Sequence, residues 1–198
     1  MQTIHIPGYR LGDATLPRSA MTLAEFEELK GSLLLGADDI ASLRKAEGVV
    51  ADQIESILDV WYGFVGNTPH LLKYFSDAKT GEPDAAYLAA VRKRFGQWIL
   101  DTCHANFDEA WLAWQEEIGR RHHRTGKNKT DGATATTLHI PLRHLIALAV
   151  PISVTMKPFL ASKGHTSTEI EAMHSAWTKA VLLQAILWSR TYAKDGDF

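Results

Sequence analysis

Two adjacent histidines, His122 and His123, are the residues of this sequence best suited to do chemistry. They end a segment rich in aromatic residues, and successive residues of a helix lie about 100° apart around its axis. On that geometry Trp114, Ile118 and His122 share one apolar stripe, whereas His123 lies about a third of a turn away. The spacing therefore predicts that His122 points into the core and that His123 points toward its edge.

A buried imidazole needs a partner for each of its two ring nitrogens. The commoner interpretation of this spacing is a structural histidine that bonds a carbonyl inside a helical bundle without haem. A neutral imidazole is also a good iron ligand, and globins hold haem iron with one proximal histidine. The residues around His122 leave both interpretations open.

Two further segments could supply the opposite wall of a pocket. A gas-binding pocket needs apolar surfaces that exclude water and one hydroxyl that bonds the gas. Trp61 and Phe95 could form the walls, Tyr62 could supply the hydroxyl, and Arg94 could pair with a haem carboxylate at the rim. The alternatives are ordinary core packing for the aromatic residues and a solvated surface charge for the arginine.

Most of the sequence shows the apolar periodicity of helices, and these helices would position the candidate site residues. Residues 1–20 carry two prolines and two glycines and are expected to form an irregular arm. Residues 125–137 are rich in Gly, Thr, Lys and Asn and are expected to form the longest loop. No segment alternates as strands do, so we expect one all-α domain over 1–198 with globin-type packing. The predicted helices begin near residues 22 and 38 and cover about 49–65, 69–75, 84–102, 108–124, 139–162 and 167–193.

Composition excludes several classes of protein. Apolar residues make up 45% and charged residues 22% of the 198 residues, and the net charge is −2. These values are typical of a soluble globular protein and lack the basic surface of a nucleic-acid binder. The longest apolar stretch, 145–156, is too short to span a bilayer, and no signal peptide is expected. Cys103 is the only cysteine, which favours a reducing, cytoplasmic location without an intrachain disulfide.

Other catalytic or metal-binding patterns are weak or absent from the sequence. Glu171 and His174 form one Glu-x-x-His pattern, but a di-iron carboxylate bundle needs two such motifs and two further glutamates. Phosphate-binding loops, zinc-protease motifs and nucleophile elbows do not occur.

Segments spread over nearly the whole chain resemble those of protoglobins, which are single-domain globins of the globin-coupled-sensor lineage. The matches occur in order and include the N-terminal arm. The matching segments are Ile6-Pro7-Gly8-Tyr9, Trp61-Tyr62-Gly63-Phe64-Val65-Gly66, Tyr87-Leu88-Ala89-Ala90-Val91-Arg92-Lys93-Arg94-Phe95, Glu117-Ile118-Gly119, Arg121-His122-His123-Arg124-Thr125, Met156-Lys157-Pro158-Phe159-Leu160, Lys163-Gly164-His165-Thr166 and Gly196-Asp197-Phe198.

The resemblance implies a globin fold with an additional N-terminal helix, haem b as cofactor, and O2, CO and NO as ligands. It makes His122 the proximal iron ligand, with Arg94 near the haem propionates and Trp188 in contact with the haem. It implies that the N-terminal arm covers the haem and that a homodimer forms through the two C-terminal helices. The distal aromatic residues implied are Trp61, Tyr62 and Phe95.

One position departs from the family pattern. Leu148 stands where the resembling sequences carry an aromatic residue, and a smaller side chain predicts a wider distal pocket or easier ligand access. The function expected is gas binding or sensing. The alternative is a haem enzyme that detoxifies NO, nitrite or peroxide, which we consider the less favoured of the two.

Overall fold

Helices build nearly all of the chain. The computed structural model describes residues 5–135, 137–194 and 196–198, and the described part contains no β-strand beyond two isolated bridges, Ser76 to Pro83 and Asp77 to Ala135. The all-α fold class is therefore confirmed. The helices are α1 (Leu23–Ser32), α2 (Ala37–Val50), α3 (Ile54–Gly66), α4 (Pro69–Leu72), α5 (Ala85–His104), α6 (Glu109–His122), α7 (Leu142–Ala147), α8 (Ala149–Val154), α9 (Lys157–Leu160) and α10 (Ser167–Ser189).

Side-chain caps fix where the helices of the site begin. Asp84 accepts a hydrogen bond from the backbone N–H of Tyr87 and starts α5. Asp108 accepts one from the N–H of Trp111 and starts α6. Thr166 and Glu169 form a capping box that starts α10. These caps fix the first residues of the helices that carry Phe95, His122 and Trp188.

The prediction of one long helix over 139–162 is wrong, because two prolines divide that segment. A proline inside a helix has no N–H to donate and its ring clashes with the carbonyl four residues earlier. The residue four before Pro151 is Ala147, where α7 ends, and the residue four before Pro158 is Val154, where α8 ends. The segment therefore turns in short steps as α7, α8 and α9.

The last helix, α10, lies at the centre of the core and packs against α2, α5, α6, α7, α8 and α9. Trp177 and Met173 of α10 are fully buried there. The approach of α6 is close because Gly119 has no side chain: a Cβ at that position would lie 3.0 Å from the carbonyl oxygen of Trp188. This close approach brings the end of α6 onto the face of Trp188.

The described part of the N-terminal arm, residues 5–20, is irregular, as predicted. Arg94 donates to the carbonyl of Pro7 and Arg121 donates to that of Gly8, at 3.2 and 2.6 Å. The hydroxyl of Tyr9 donates to Asp101 on α5 at 2.6 Å. The arm is thus fastened to α5 and α6, while predictions for residues 1–4 lie outside the described residues.

No helix in the described ranges combines the length and the apolar character that a membrane crossing would require.

Candidate functional site

An internal cavity lies between α3, α5, α6, α8 and α10. It offers about 230 Å³ to the centres of water-sized molecules, whereas roughly 10–15 Å³ is enough for one water. The cavity is therefore far larger than a packing defect. Its walls are largely apolar, and they include Val65, Leu71, Val91, Trp98, Ile118, Ile140, Leu145, Ala149, Ile152, Val181 and Ala185.

His122 is the last residue of α6 and lines this cavity. Its Nδ1 lies 2.8 Å from the carbonyl oxygen of Ile118, one helical turn earlier. Since a carbonyl only accepts, Nδ1 carries the proton and the lone pair of the neutral ring is on Nε2. Burial lowers the pKa of His122 to about 4, which keeps the ring neutral at pH 7. The carbonyl of Ile118 thus fixes the orientation of this imidazole.

The plane of the His122 ring is also fixed by a tryptophan. The rings of His122 and Trp188 stack with centroids 5.1 Å apart and planes 12° from parallel. Trp188 is held in turn by its indole N–H, which donates to Gln115 at 2.8 Å. A carbonyl on one nitrogen and a tryptophan on one face leave Nε2 as the reactive atom of the ring.

His123 has different surroundings, as the helical spacing predicts. It is absent from the cavity lining. Its Nδ1 lies 3.1 Å from the hydroxyl oxygen of Thr125, and its ring meets the edge of Tyr192 at 5.0 Å. Of the two histidines, His122 alone lines the cavity.

The structure brings all seven sequence-predicted site residues to the one cavity. Trp61 and Phe95 meet edge to face with ring centroids 5.6 Å apart. Leu148 lines the wall at the junction of α7 and α8. The seven are His122, Trp61, Tyr62, Arg94, Phe95, Leu148 and Trp188.

Positively charged side chains line one side of the cavity. Arg94 makes two hydrogen bonds to the carboxylate of Asp131, at 2.9 and 2.6 Å. Arg121 lies over the ring of Trp114 at 4.8 Å and pairs with Glu117. The alternative interpretation of Arg94 as a solvated surface charge does not hold, because its side chain is only 12% exposed.

Sequence reasoning missed Lys127, a third cation on the cavity wall. Its ammonium donates to the carbonyl of Tyr74 at 2.9 Å, to the hydroxyl of Tyr87 at 3.0 Å and to Asn128 at 2.5 Å. Lys127 is buried, and burial lowers its pKa to about 8. Its position in a Gly- and Thr-rich loop is typical of a solvated lysine, so no sequence signal marked it.

Glu171 and His174 serve other contacts. Glu171 pairs with Lys157 at 2.5 Å, and Nε2 of His174 lies 2.9 Å from the carbonyl oxygen of Ser153. Within the described ranges no cluster of three His, Cys, Asp or Glu side chains could hold a metal ion by itself.

The cavity suits a flat apolar macrocycle that carries a metal and carboxylates. Its walls would cover the two faces, Nε2 of His122 would ligate the metal, and Arg94, Arg121 and Lys127 would meet the carboxylates. One polar atom in the wall is also unsatisfied: Nε1 of Trp114 is buried and makes no hydrogen bond within the described part of the chain. The residues present therefore fit haem.

Comparison with known proteins gives one result that agrees with this geometry. The family model described as Protoglobin matches residues 22–198, so the match includes every helix and leaves out the arm. No curated protein matches the chain.

Proposed function

Because the chain belongs to the protoglobin family, we propose that it binds haem b through His122 and reversibly holds O2, CO or NO on the opposite face. Membership implies a globin-type haem protein that binds gases in general. The observation that carries the finer proposal is the orientation of His122, whose Nδ1 bonds a carbonyl while Nε2 is left for the metal.

Ferrous haem, when bound, supplies an iron whose sixth position takes a diatomic gas. The protein's part is to hold the axial imidazole, to exclude water and to offer a donor. Trp61 and Phe95 provide apolar surface in the cavity, and Tyr62 provides a hydroxyl. Arg94, Arg121 and Lys127 provide positive charge for the propionates.

We infer that gas binding or sensing is the role of this site. A sensor acts by shifting a conformational population when its ligand binds, and the arm fastened to α5 and α6 is an element that such a shift could move. A separate assay tests the alternative that the protein is an enzyme that detoxifies NO. If the haem-loaded protein dioxygenates NO no faster than free haem does, the result supports gas binding or sensing. Faster turnover would contradict that role.

We further propose that the protein is cytoplasmic and forms a homodimer through α7, α8 and α10. Ile146, Val150 and Val154 lie four residues apart and are 49%, 63% and 58% exposed. Leu182 of α10 is also exposed. A second copy of the chain could cover these apolar side chains, which would otherwise face water.

An absorption spectrum tests the haem proposal. Purified protein supplied with haem should show a Soret band that shifts on reduction and again with CO, and His122→Ala should lose it. His123→Ala is the matched control, because the neighbouring ring does not line the cavity, and it should keep the band. A colourless wild-type protein, or a normal spectrum in His122→Ala, would overturn the proposal.

A further inference from the structure

We propose that Tyr9 is a redox-active tyrosine: with haem in the cavity and hydrogen peroxide as oxidant, it gives up one electron while Asp101 takes its proton. The proposal rests on haem binding as proposed above. It adds a site for protein oxidation in the N-terminal arm, distinct from the gas-binding position.

The geometry of Tyr9 and Asp101 carries this proposal. The hydroxyl of Tyr9 donates to Oδ2 of Asp101 at 2.6 Å, and Gln97 donates to Oδ1 of the same carboxylate at 3.0 Å. Because both oxygens accept, the carboxylate is the form that these partners favour. Tyr9 also lines the cavity, so an oxidant held there lies next to its ring.

The other tyrosines of the cavity lack such a base. Tyr87 accepts a hydrogen bond from the ammonium of Lys127, and a cation at the hydroxyl opposes loss of an electron. Tyr62 lies under the guanidinium of Arg92 at 5.6 Å. For Tyr62 and Tyr74, no hydrogen bond from the hydroxyl to a carboxylate is found among the described residues. Tyr9 is thus the cavity tyrosine with a proton acceptor in place.

The surroundings of the pair favour a neutral product. Burial raises the pKa of Asp101 above its usual value, because a low-dielectric environment disfavours the charged carboxylate. Moving the proton to Asp101 therefore relieves a buried charge. The nearest aromatic neighbour is Trp114, whose ring centroid lies 4.9 Å from that of Tyr9. Arg121 over the Trp114 ring makes a positive charge there unfavourable, so the oxidised site is Tyr9.

Hydrogen peroxide is the electron acceptor, and bound haem would supply the electron-transfer chemistry between it and Tyr9. One peroxide takes up two electrons, together with two protons from solvent, as its O–O bond breaks to give two waters, so it can oxidise Tyr9 in two copies of the protein. In each copy the O–H bond of Tyr9 breaks, one electron leaves the ring, and the proton passes to Oδ2 of Asp101. The products at the pair are a neutral tyrosyl radical and a neutral carboxylic acid.

The test uses ferric haem-loaded full-length protein that is mixed with hydrogen peroxide and frozen. Electron paramagnetic resonance should show a tyrosyl radical in the wild type and in Tyr192→Phe, because Tyr192 lies outside the cavity lining. The signal should fall to background in Tyr9→Phe. It should fall several-fold in Asp101→Asn, which keeps the ring but weakens the proton acceptor.

A second measurement needs no variant. A nitrone spin trap added with the peroxide should form its adduct on the peptide that contains Tyr9, as read by mass spectrometry. Undiminished signal in Tyr9→Phe, or an adduct mapped to another tyrosine, would overturn this proposal alone. A protein that takes up no haem would overturn the proposed function and this inference together, and the Soret band distinguishes the two cases beforehand.

Discussion

The hydroxyl of Tyr62 is the group in the cavity that we expect to bond bound O2. Burial raises its pKa, so it stays protonated and can donate. No hydrogen bond of this hydroxyl is found within the described residues, which leaves it available to a ligand. Tyr62→Phe should raise the O2 dissociation rate by roughly tenfold, the equivalent of about 1.4 kcal/mol for one hydrogen bond. CO should respond less because it is the weaker acceptor.

Stopped-flow displacement of O2 by CO measures the O2 dissociation rate, and displacement of CO by NO measures the CO dissociation rate. Tyr192→Phe is the control, since the hydroxyl of Tyr192 donates to the carbonyl of Ile140 instead. Equal O2 dissociation rates in wild type and Tyr62→Phe would remove the donor role from Tyr62.

Lys127 is expected to make the stability of the haem-free protein depend on pH. Its pKa falls from 10.5 to about 8 on folding because of burial. Between these values the unfolded chain binds the proton and the folded chain does not, so stability rises with pH. The full rise is about 3 kcal/mol at most. Lys127→Met should abolish it.

Urea denaturation of both proteins at pH 7, 8 and 9 measures this effect. Ionisation of Cys103 does not interfere with this comparison. Burial raises the pKa of its thiol to about 12 in the folded protein, so Cys103 lowers the free energy of unfolding only above about pH 9, where the thiol of the unfolded chain ionises. Parallel pH profiles of the two proteins would contradict the prediction.

The junction between α7 and α8 positions the side chain of Leu148. This residue is the C-cap of α7 and lines the cavity. A phenylalanine there should narrow the distal side, so Leu148→Phe should slow CO rebinding after photolysis. Leu138→Phe, at a position 74% exposed, is the matched control. Unchanged rebinding in Leu148→Phe would contradict the prediction of easier access.

Helical elements were predictable from sequence where local chemistry decides them. The stripe that ends at His122 and the helix starts near residues 22 and 167 depend on residues within one or two turns, and the structure confirms them. The prediction of one helix over 139–162 was wrong because it followed the apolar periodicity of the segment and neglected the backbone effects of Pro151 and Pro158. In the structure α7 and α8 each end four residues before one of these prolines.

Only some of the residues of the site could be predicted from the sequence. His122 could be located because helical geometry separates it from His123. Lys127 could not, because its burial depends on Tyr74 and Tyr87, which lie 53 and 40 residues away. The carboxylate of Asp101 was missed for the same reason: its partner Tyr9 is 92 residues distant, and long-range pairs leave no periodic signal.

At the scale of the whole molecule, the apolar surface on α7, α8 and α10 determines the expected assembly. A charge placed at its most exposed position would have to be buried without a partner in the dimer, which is costly. Val150→Glu should therefore shift the protein from dimer to monomer in size-exclusion chromatography with light scattering. Leu11→Glu, at a position 36% exposed in the arm that is fastened to α5 and α6, should leave the dimer intact. Both variants should keep the Soret band, which shows that the fold around His122 survives. A wild type that is monomeric at all concentrations, or a Val150→Glu variant that stays dimeric, would show that this face is not the interface.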